Sequence, residues 1–363
     1  MFQDAGEASV KIAVAWIGII GAVLAAIVAF VNSLITRQTT LATQRDLQKH
    51  QHELETLKAT LQEQNADKDA RRDYEYEARK RLYRQCEPLL FQLVELSENG
   101  LNRIYSLART ARSGELSLIP NEGWFSDIRA YYLASTIHKL ISPLVVHRLI
   151  QRRLTLVDLS VDRHINSQYL LAKRLFISFT DDFEFARAEP EIDYAPNAEV
   201  SVKTATRDPE KYTRQAMFMG SLESLVDSFI VTEADGSQRC MTYGEFESAY
   251  YEDDKVAESF VEVAELFHNF HPKTRPVLWR ILIAQAHIYE ALIRTRQLKL
   301  SQSGESVTPL LNAISGEEKR KFDWRDGHVN ATDDEVLIQP FAVAQQYLRK
   351  HLAEMFETQS ISR

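Results

Sequence analysis

The chain has 363 residues, 45% of them hydrophobic and 26% charged, and its 51 acidic side chains outnumber 43 basic ones to give a formal net charge of −8. Two cysteines, Cys86 and Cys240, are too few for the disulfide framework of a large exported domain. The length leaves room for a sizeable hydrophobic core.

Residues Ile12 to Val31 form an unbroken, uncharged apolar run, IAVAWIGIIGAVLAAIVAFV. At about 1.5 Å of rise per residue, a helix of about twenty residues covers the roughly 30 Å hydrocarbon core of a bilayer. The run therefore predicts a transmembrane helix over 10–35, preceded by a short extracytoplasmic tail over 1–9. A cleaved signal peptide fits less well, because the leading segment carries Asp4 and Glu7 with Lys11 as its single basic side chain, and Asn32-Ser33-Leu34-Ile35 is not a small-residue cleavage motif. Arg37, Arg45 and Lys49 follow the run, so the positive-inside bias places the carboxy-terminal side in the cytoplasm. The expectation is a single-pass protein of the cell membrane, inner or plasma, in contact with membrane lipid. Gly18, Ala22 and Ala26 are four apart and present small side chains at a spacing that lets identical helices approach. No charged residue interrupts the run, so an ion relay through this one helix is not expected.

Thr36 to Arg84 contains neither Gly nor Pro, and a juxtamembrane stalk is predicted over 36–85. Leu47, Leu54 and Leu61 recur every seven residues with Leu57 between them, the spacing of a coiled-coil seam. The seam is short: Leu34 and Leu41 follow another register, and beyond Leu61 it decays into Gln64 and Lys68. A homo-oligomer joined through anchor and stalk is one expectation; a single solvated helix carrying i,i+4 charge pairs is the other.

Pro88 is expected to interrupt this helix or to begin the next. A globular domain is predicted over 86–363, mostly α, with at most one small β-hairpin. Leu89, Leu90, Leu93, Leu96 and Leu101 line a first helical face, and Tyr131, Leu133, Ile137, Leu140, Ile141, Leu144, Val145 and Leu149 a second, kinked or divided at Pro143. Tyr169 to Phe185 is a third. Ala188 to Arg207 reads as an exposed loop with a short strand near Val200 to Thr204, and a helix begins at Asp208-Pro209. Phe229 to Thr232 and Gln238 to Met241 flank Asp235-Gly236 as a hairpin. Thr242 and Glu245 form a capping box that opens an amphipathic helix through Phe246, Tyr250, Val256, Ala257, Phe260, Val263, Ala264 and Phe267. The turn from His271 to Pro276 leads into a helix carrying Leu278, Ile281, Leu282, Ile288, Leu292 and Ile293, predicted as its antiparallel partner. Further capping boxes pair Ser315 with Glu318 and Thr332 with Glu335.

Chemistry-bearing motifs are sparse. Glu265-x-x-His268 has the spacing of a di-iron helix, yet no second copy exists, and His271 adds a ligand without a third or fourth. His287-x-x-Glu290 reverses the order. Asp181-Asp182 near Glu184, and Glu252-Asp253-Asp254, are carboxylate clusters of a kind more often solvated than catalytic. Phosphate-binding glycine loops, nucleophile elbows and kinase signatures are missing. No cofactor is expected, and the balance leans away from an enzyme. Charge is more informative: Arg129, Lys139, Arg148, Arg152, Arg153, Arg163, Lys173 and Arg174 face Asp158 and Asp162 alone, while 181–265 is acidic. Arg148, Arg152, Arg153, Lys173 and Arg174 are thus candidate anion-binding residues for nucleic acid or anionic lipid. Mutual neutralisation of basic and acidic segments is the favoured alternative.

Three functions follow as expectations. The first is a membrane-anchored helical protein that assembles through anchor and stalk and uses its cytoplasmic domain as a protein-interaction, scaffold or sensor module. The second is a tethered effector binding nucleic acid or anionic lipid through its basic segment. The third is a cryptic metalloenzyme around Glu265, His268 and His271.

Overall fold

The computed structural model describes residues 4–119, 121–154, 159–252, 254–300, 311, 314–325 and 335–356. The protein is mostly helical, and its two strands form the one sheet among the described residues. The chain divides into two units, Met1–Tyr76 and Glu77–Arg363.

The first unit is helical from Asp4 onward, within α1 (Asp4–Arg112). It contains one stretch long and apolar enough to cross a membrane, with a mean hydropathy of 2.4 and none of it buried. Just past the apolar run, Thr36, Thr40 and Thr43 donate their hydroxyls to the carbonyls of Asn32, Thr36 and Thr39 at 2.7, 2.7 and 2.8 Å. These hydroxyls back-bond to their own helix, as Thr56 and Thr60 do farther along it.

The core of the second unit begins at Leu82 and Cys86, both fully buried. The division at Tyr76/Glu77 therefore precedes Cys86, because that part of α1 already packs on the domain. Pro88 does not interrupt α1, contrary to expectation. Pro88 and Arg84 are both exposed, so the turn that lacks an amide donor lies on the solvent-facing side of the helix, where the loss is cheapest.

The remaining helices follow as α2 (Tyr131–Leu154), α3 (Arg163–Ser178), α4 (Asp182–Arg187), α5 (Val202–Arg207), α6 (Pro209–Tyr212) and α7 (Met219–Ser228). Then come β1 (Ile230–Thr232), β2 (Gln238–Cys240), α8 (Tyr243–Glu252), α9 (Asp254–Phe267), α10 (Pro276–Leu300), α11 (Gly316–Lys319) and α12 (Glu335–His351). The strands pair antiparallel with Ile230 opposite Cys240, and Gly236 takes φ 79° at the turn. The strand expected near Val200 is helix α5, started by Ser201, whose hydroxyl accepts from the Thr204 amide.

Pro143 lies inside α2 without dividing it. Leu133 to Leu149 are buried as the pattern requires, but Tyr131 is 65% exposed. The predicted third helix separates into α3 and α4 around Phe179. The long amphipathic helix separates likewise into α8 and α9; Asp253 and the side chains of Val256 and Ala257 lie outside the described residues. The capping box of Ser315 and Glu318 is formed, whereas Thr332 lies outside the described residues.

The predicted hairpin of α9 and α10 is replaced by two layers. α10 packs principally against α12, α3 and α4, whereas α9 packs against α8, α7 and α2. Composition explains the position of α10: Val277, Leu278, Ile281, Leu282, Ile283, Ala284, Ala286, Ile288, Tyr289 and Leu292 are all fully buried. A helix apolar on every side belongs at the centre of a fold. The second layer closes around Phe229, Phe246 and Phe260, whose ring centroids lie 5.1, 5.3 and 5.2 Å apart.

Candidate functional site

In the first unit Gly18, Ala22 and Ala26 are exposed, and a Cβ added at Gly18 would meet nothing within 4 Å. Leu47, Leu54, Leu57 and Leu61 are 55%, 56%, 57% and 48% exposed. The same helix carries the charge pairs Arg71–Glu75 and Arg72–Asp69, which are solvated and weak.

The five basic candidates do not act as one array. Arg148 Nε and Arg152 Nη2 both donate to Asp227 of α7, at 3.1 and 2.9 Å, and Arg152 also reaches Gln238 at 3.2 Å. The bond to Asp227 raises the Arg148 pKa further. Arg174 donates to the Tyr347 hydroxyl at 3.2 Å and lies 3.7 Å from Asp181. Arg153 and Lys173 are exposed. Three of the five charges thus hold α2 to α7 and α3 to α12.

The acidic triplet is likewise shared out. Asp181 accepts from the Tyr347 hydroxyl, and its burial lifts its pKa above the ordinary carboxylate value. Asp182, 1% exposed, accepts from Arg214 at 3.1 Å and from the Tyr194 hydroxyl at 2.7 Å. Glu184 accepts from Lys350 and pairs with His351, both at 2.9 Å; burial pushes its pKa up, but these two bonds bring it below the usual value. Three adjacent carboxylates therefore face three different partners and share no ligand position. Of Glu252-Asp253-Asp254, Asp253 and the Asp254 side chain lie outside the described residues.

Glu265, His268 and His271 also diverge. Glu265 is exposed on α9. His268 Nε2 lies 3.0 Å from the Ser126 carbonyl, and His271 Nδ1 accepts the Lys273 amide at 3.1 Å. Burial, then Lys273, pushes the His271 pKa down to about 4. His287 faces Phe341 at 5.9 Å, and Glu290 pairs with Arg294 at 3.5 Å. No group of three His, Cys, Asp or Glu side chains converges on a metal position among the described residues. Cys86 and Cys240 are buried free thiols whose pKa burial raises, that of Cys240 to about 11.

The densest polar machinery is one that periodicity does not reveal. Arg280, 2% exposed, donates to the carbonyls of Phe185, Ala188 and Pro190 at 2.7, 3.3 and 2.6 Å. Gln215 Oε1 accepts the first amides of α10, from Val277 at 2.8 Å and Leu278 at 3.2 Å, while its Nε2 donates to the Glu210 carbonyl at 2.7 Å. Arg275 donates to the carbonyls of Arg214 and His268 at 3.1 and 3.3 Å. These three side chains bind the irregular segment from Ala188 to Met217 to the start of α10. A charged residue inside the apolar stretch VLWRILIAQAHIY was the available signal.

Two of the clefts on the second unit have the size of a small-molecule site. One of about 410 Å³ lies between α1, α3 and α10, with Leu90, Phe91, Val94 and Ile165 in its wall and Arg296 at its side. The other, of about 510 Å³, is lined by residues of α5, α6 and the turn before α10, with Arg275 among them.

Against known proteins the chain finds no match: no family model, no curated protein and no solved structure resembles it.

Proposed function

We propose that this is a single-pass membrane protein whose anchor and stalk assemble copies of the chain, with a helical domain on the cytoplasmic side that serves as a protein-interaction, scaffold or sensor module. The observation that carries the proposal is the first unit itself. A stretch with a mean hydropathy of 2.4 and no buried residues is followed by four exposed leucines at heptad-related positions. Exposed apolar stripes of this length are costly in water, and lipid for the run and a second helix for the leucines remove that cost. Arg37, Arg45 and Lys49 beyond the run supply the cytoplasmic orientation.

The test is the mass of the detergent-solubilised full chain, alone and as the double variant Leu54→Lys, Leu61→Lys. The unmodified chain is expected as a multimer and the variant as a smaller species. An unmodified monomer, or a variant of unchanged mass, removes the stalk from assembly. Substituting Gly18→Leu and Ala22→Leu then asks whether the small-residue face of the anchor carries association instead.

A further inference from the structure

The cleft of about 510 Å³ beside α5 and α6 has a size that takes a small organic molecule. Arg275 lines it and is 8% exposed. Its guanidinium donates to two backbone carbonyls, and no carboxylate pairs with it among the described residues. A guanidinium has five N–H groups, so donors remain after these bonds. Burial pulls its pKa down to about 10, which still leaves a cation at neutral pH. The fold therefore buries a positive charge here without supplying the negative one that usually accompanies it.

Two further donors line the same cleft. Asn269 holds the left-handed conformation at φ 53°, and its Oδ1 accepts the Asn121 amide at 3.1 Å. That bond fixes the amide group and leaves Nδ2 as a donor. The Thr213 hydroxyl makes no hydrogen bond among the described residues. Two other charged residues line the cleft: Arg207, which pairs with Asp208 at 2.9 Å, and Glu210, whose carboxylate is at the solvent-exposed rim and opposes an anion there. The rest of the wall mixes the hydroxyls of Ser117, Thr206 and Thr274 with apolar side chains, of which Leu118, Val200 and Val202 are 49%, 38% and 83% exposed.

We propose that this cleft binds a small organic anion, whose carboxylate or phosphate head takes Arg275, Asn269 and Thr213 and whose apolar body lies on Leu118, Val200 and Val202. Donors without acceptors define the head position, and exposed apolar side chains beside them define the body. The site gives the domain a ligand to sense, and it stands whether or not the stalk assembles the chain.

The experiment is calorimetric titration of the full chain in neutral detergent micelles with 2-naphthoate, its neutral isostere 2-naphthamide, and inorganic phosphate. Saturable one-to-one binding of naphthoate is expected, with naphthamide at least tenfold weaker because charge-assisted bonds to the cation are lost. Phosphate, lacking the apolar body, is expected to bind more weakly than naphthoate. Val202→Asp alters an exposed position, so the fold persists while a negative charge enters the cleft; naphthoate binding should fall about tenfold or more. Thr213→Val, which keeps the side-chain shape, should weaken it several-fold. Micelles doped with phosphatidic acid separate the sources: displacement of naphthoate identifies a lipid head group, and unchanged binding identifies a soluble acid. Equal binding of naphthoate and naphthamide, or full binding by the Val202→Asp variant, overturns the assignment.

Discussion

His147 is a titratable side chain that the fold keeps from titrating. It is 1% exposed on α2, between the rings of Tyr169 and Phe176 at 5.6 and 5.5 Å, and neither ring nitrogen has a hydrogen-bond partner among the described residues. Burial first, then Lys173 of α3 and Arg148 of α2, push its pKa down to about 3. In the unfolded chain the imidazole titrates near about 6.5, so below that pH the unfolded state binds a proton that the folded state refuses. The neutral ring thus contributes stability that is complete above about pH 6.5 and is lost as the pH falls toward 3, at up to roughly 1.4 kcal/mol per pH unit. His271, with its pKa also lowered, adds a loss of the same sign. His147→Phe keeps the ring and removes the proton site. Urea midpoints measured from pH 7 to pH 5 should fall less steeply in this variant than in the parent. Parallel slopes would mean that His147 takes up its proton in the folded state.

At the scale of elements, the energetics centre on the amino-terminal end of α10. Arg280 satisfies three carbonyls of the segment after α4, and a buried carbonyl deprived of its donor costs about 1–3 kcal/mol. Arg280→Met keeps much of the volume and removes the donors. It should destabilise the protein by about 3–5 kcal/mol, read as a lower denaturant midpoint, and should speed proteolysis within 188–217. An unchanged midpoint would mean that water takes over the three carbonyls. This connection was not legible in the sequence, whereas much around it was. The apolar spacing in Leu133 to Leu149 and in Leu278 to Leu292 located α2 and α10, and Asp235-Gly236 located the hairpin, because burial period and turn chemistry are local properties. Partner choice is not local. Nothing in the repeat of Phe260, Val263 and Phe267 says that α9 faces α7 and α8 and not α10. The triplet Asp181, Asp182 and Glu184 reads as one cluster because neighbours in sequence are easily taken for neighbours in function; the turn into α4 sends Asp182 to Arg214, and Asp181 and Glu184 to different residues of α12, Tyr347 and the Lys350–His351 pair. The five candidate arginines and lysines among the eight of the basic segment were visible as charge, but Asp227, which claims two of them, lies far along the chain. The donors of the Arg275 cleft were invisible for the same reason: Thr213, Asn269 and Arg275 carry no motif, and only folding brings them to one wall.

At the scale of the molecule, the two units separate what holds the protein together from what is proposed to bring copies together. Among the described residues, the hydrophobic core lies at or beyond Leu82, and the second unit begins at Glu77. Leu47, Leu54, Leu57 and Leu61 contribute nothing to that core, being about half exposed. Burial of apolar surface dominates folding free energy, so a core that begins at Leu82 is expected to hold without the first unit. A fragment starting at Glu77 should therefore unfold within about 3 °C of the domain transition of the full chain, followed by calorimetry. It should also be monomeric by light scattering, because anchor and stalk are gone. These two readouts are independent. A fragment that melts much earlier would show that residues before Glu77 support the domain, which would make substitutions at the stalk leucines ambiguous tests of assembly. One that melts normally yet remains a multimer would move self-association onto the domain. Normal melting with loss of the multimer is the combination that leaves assembly to the first unit and ligand recognition to the second.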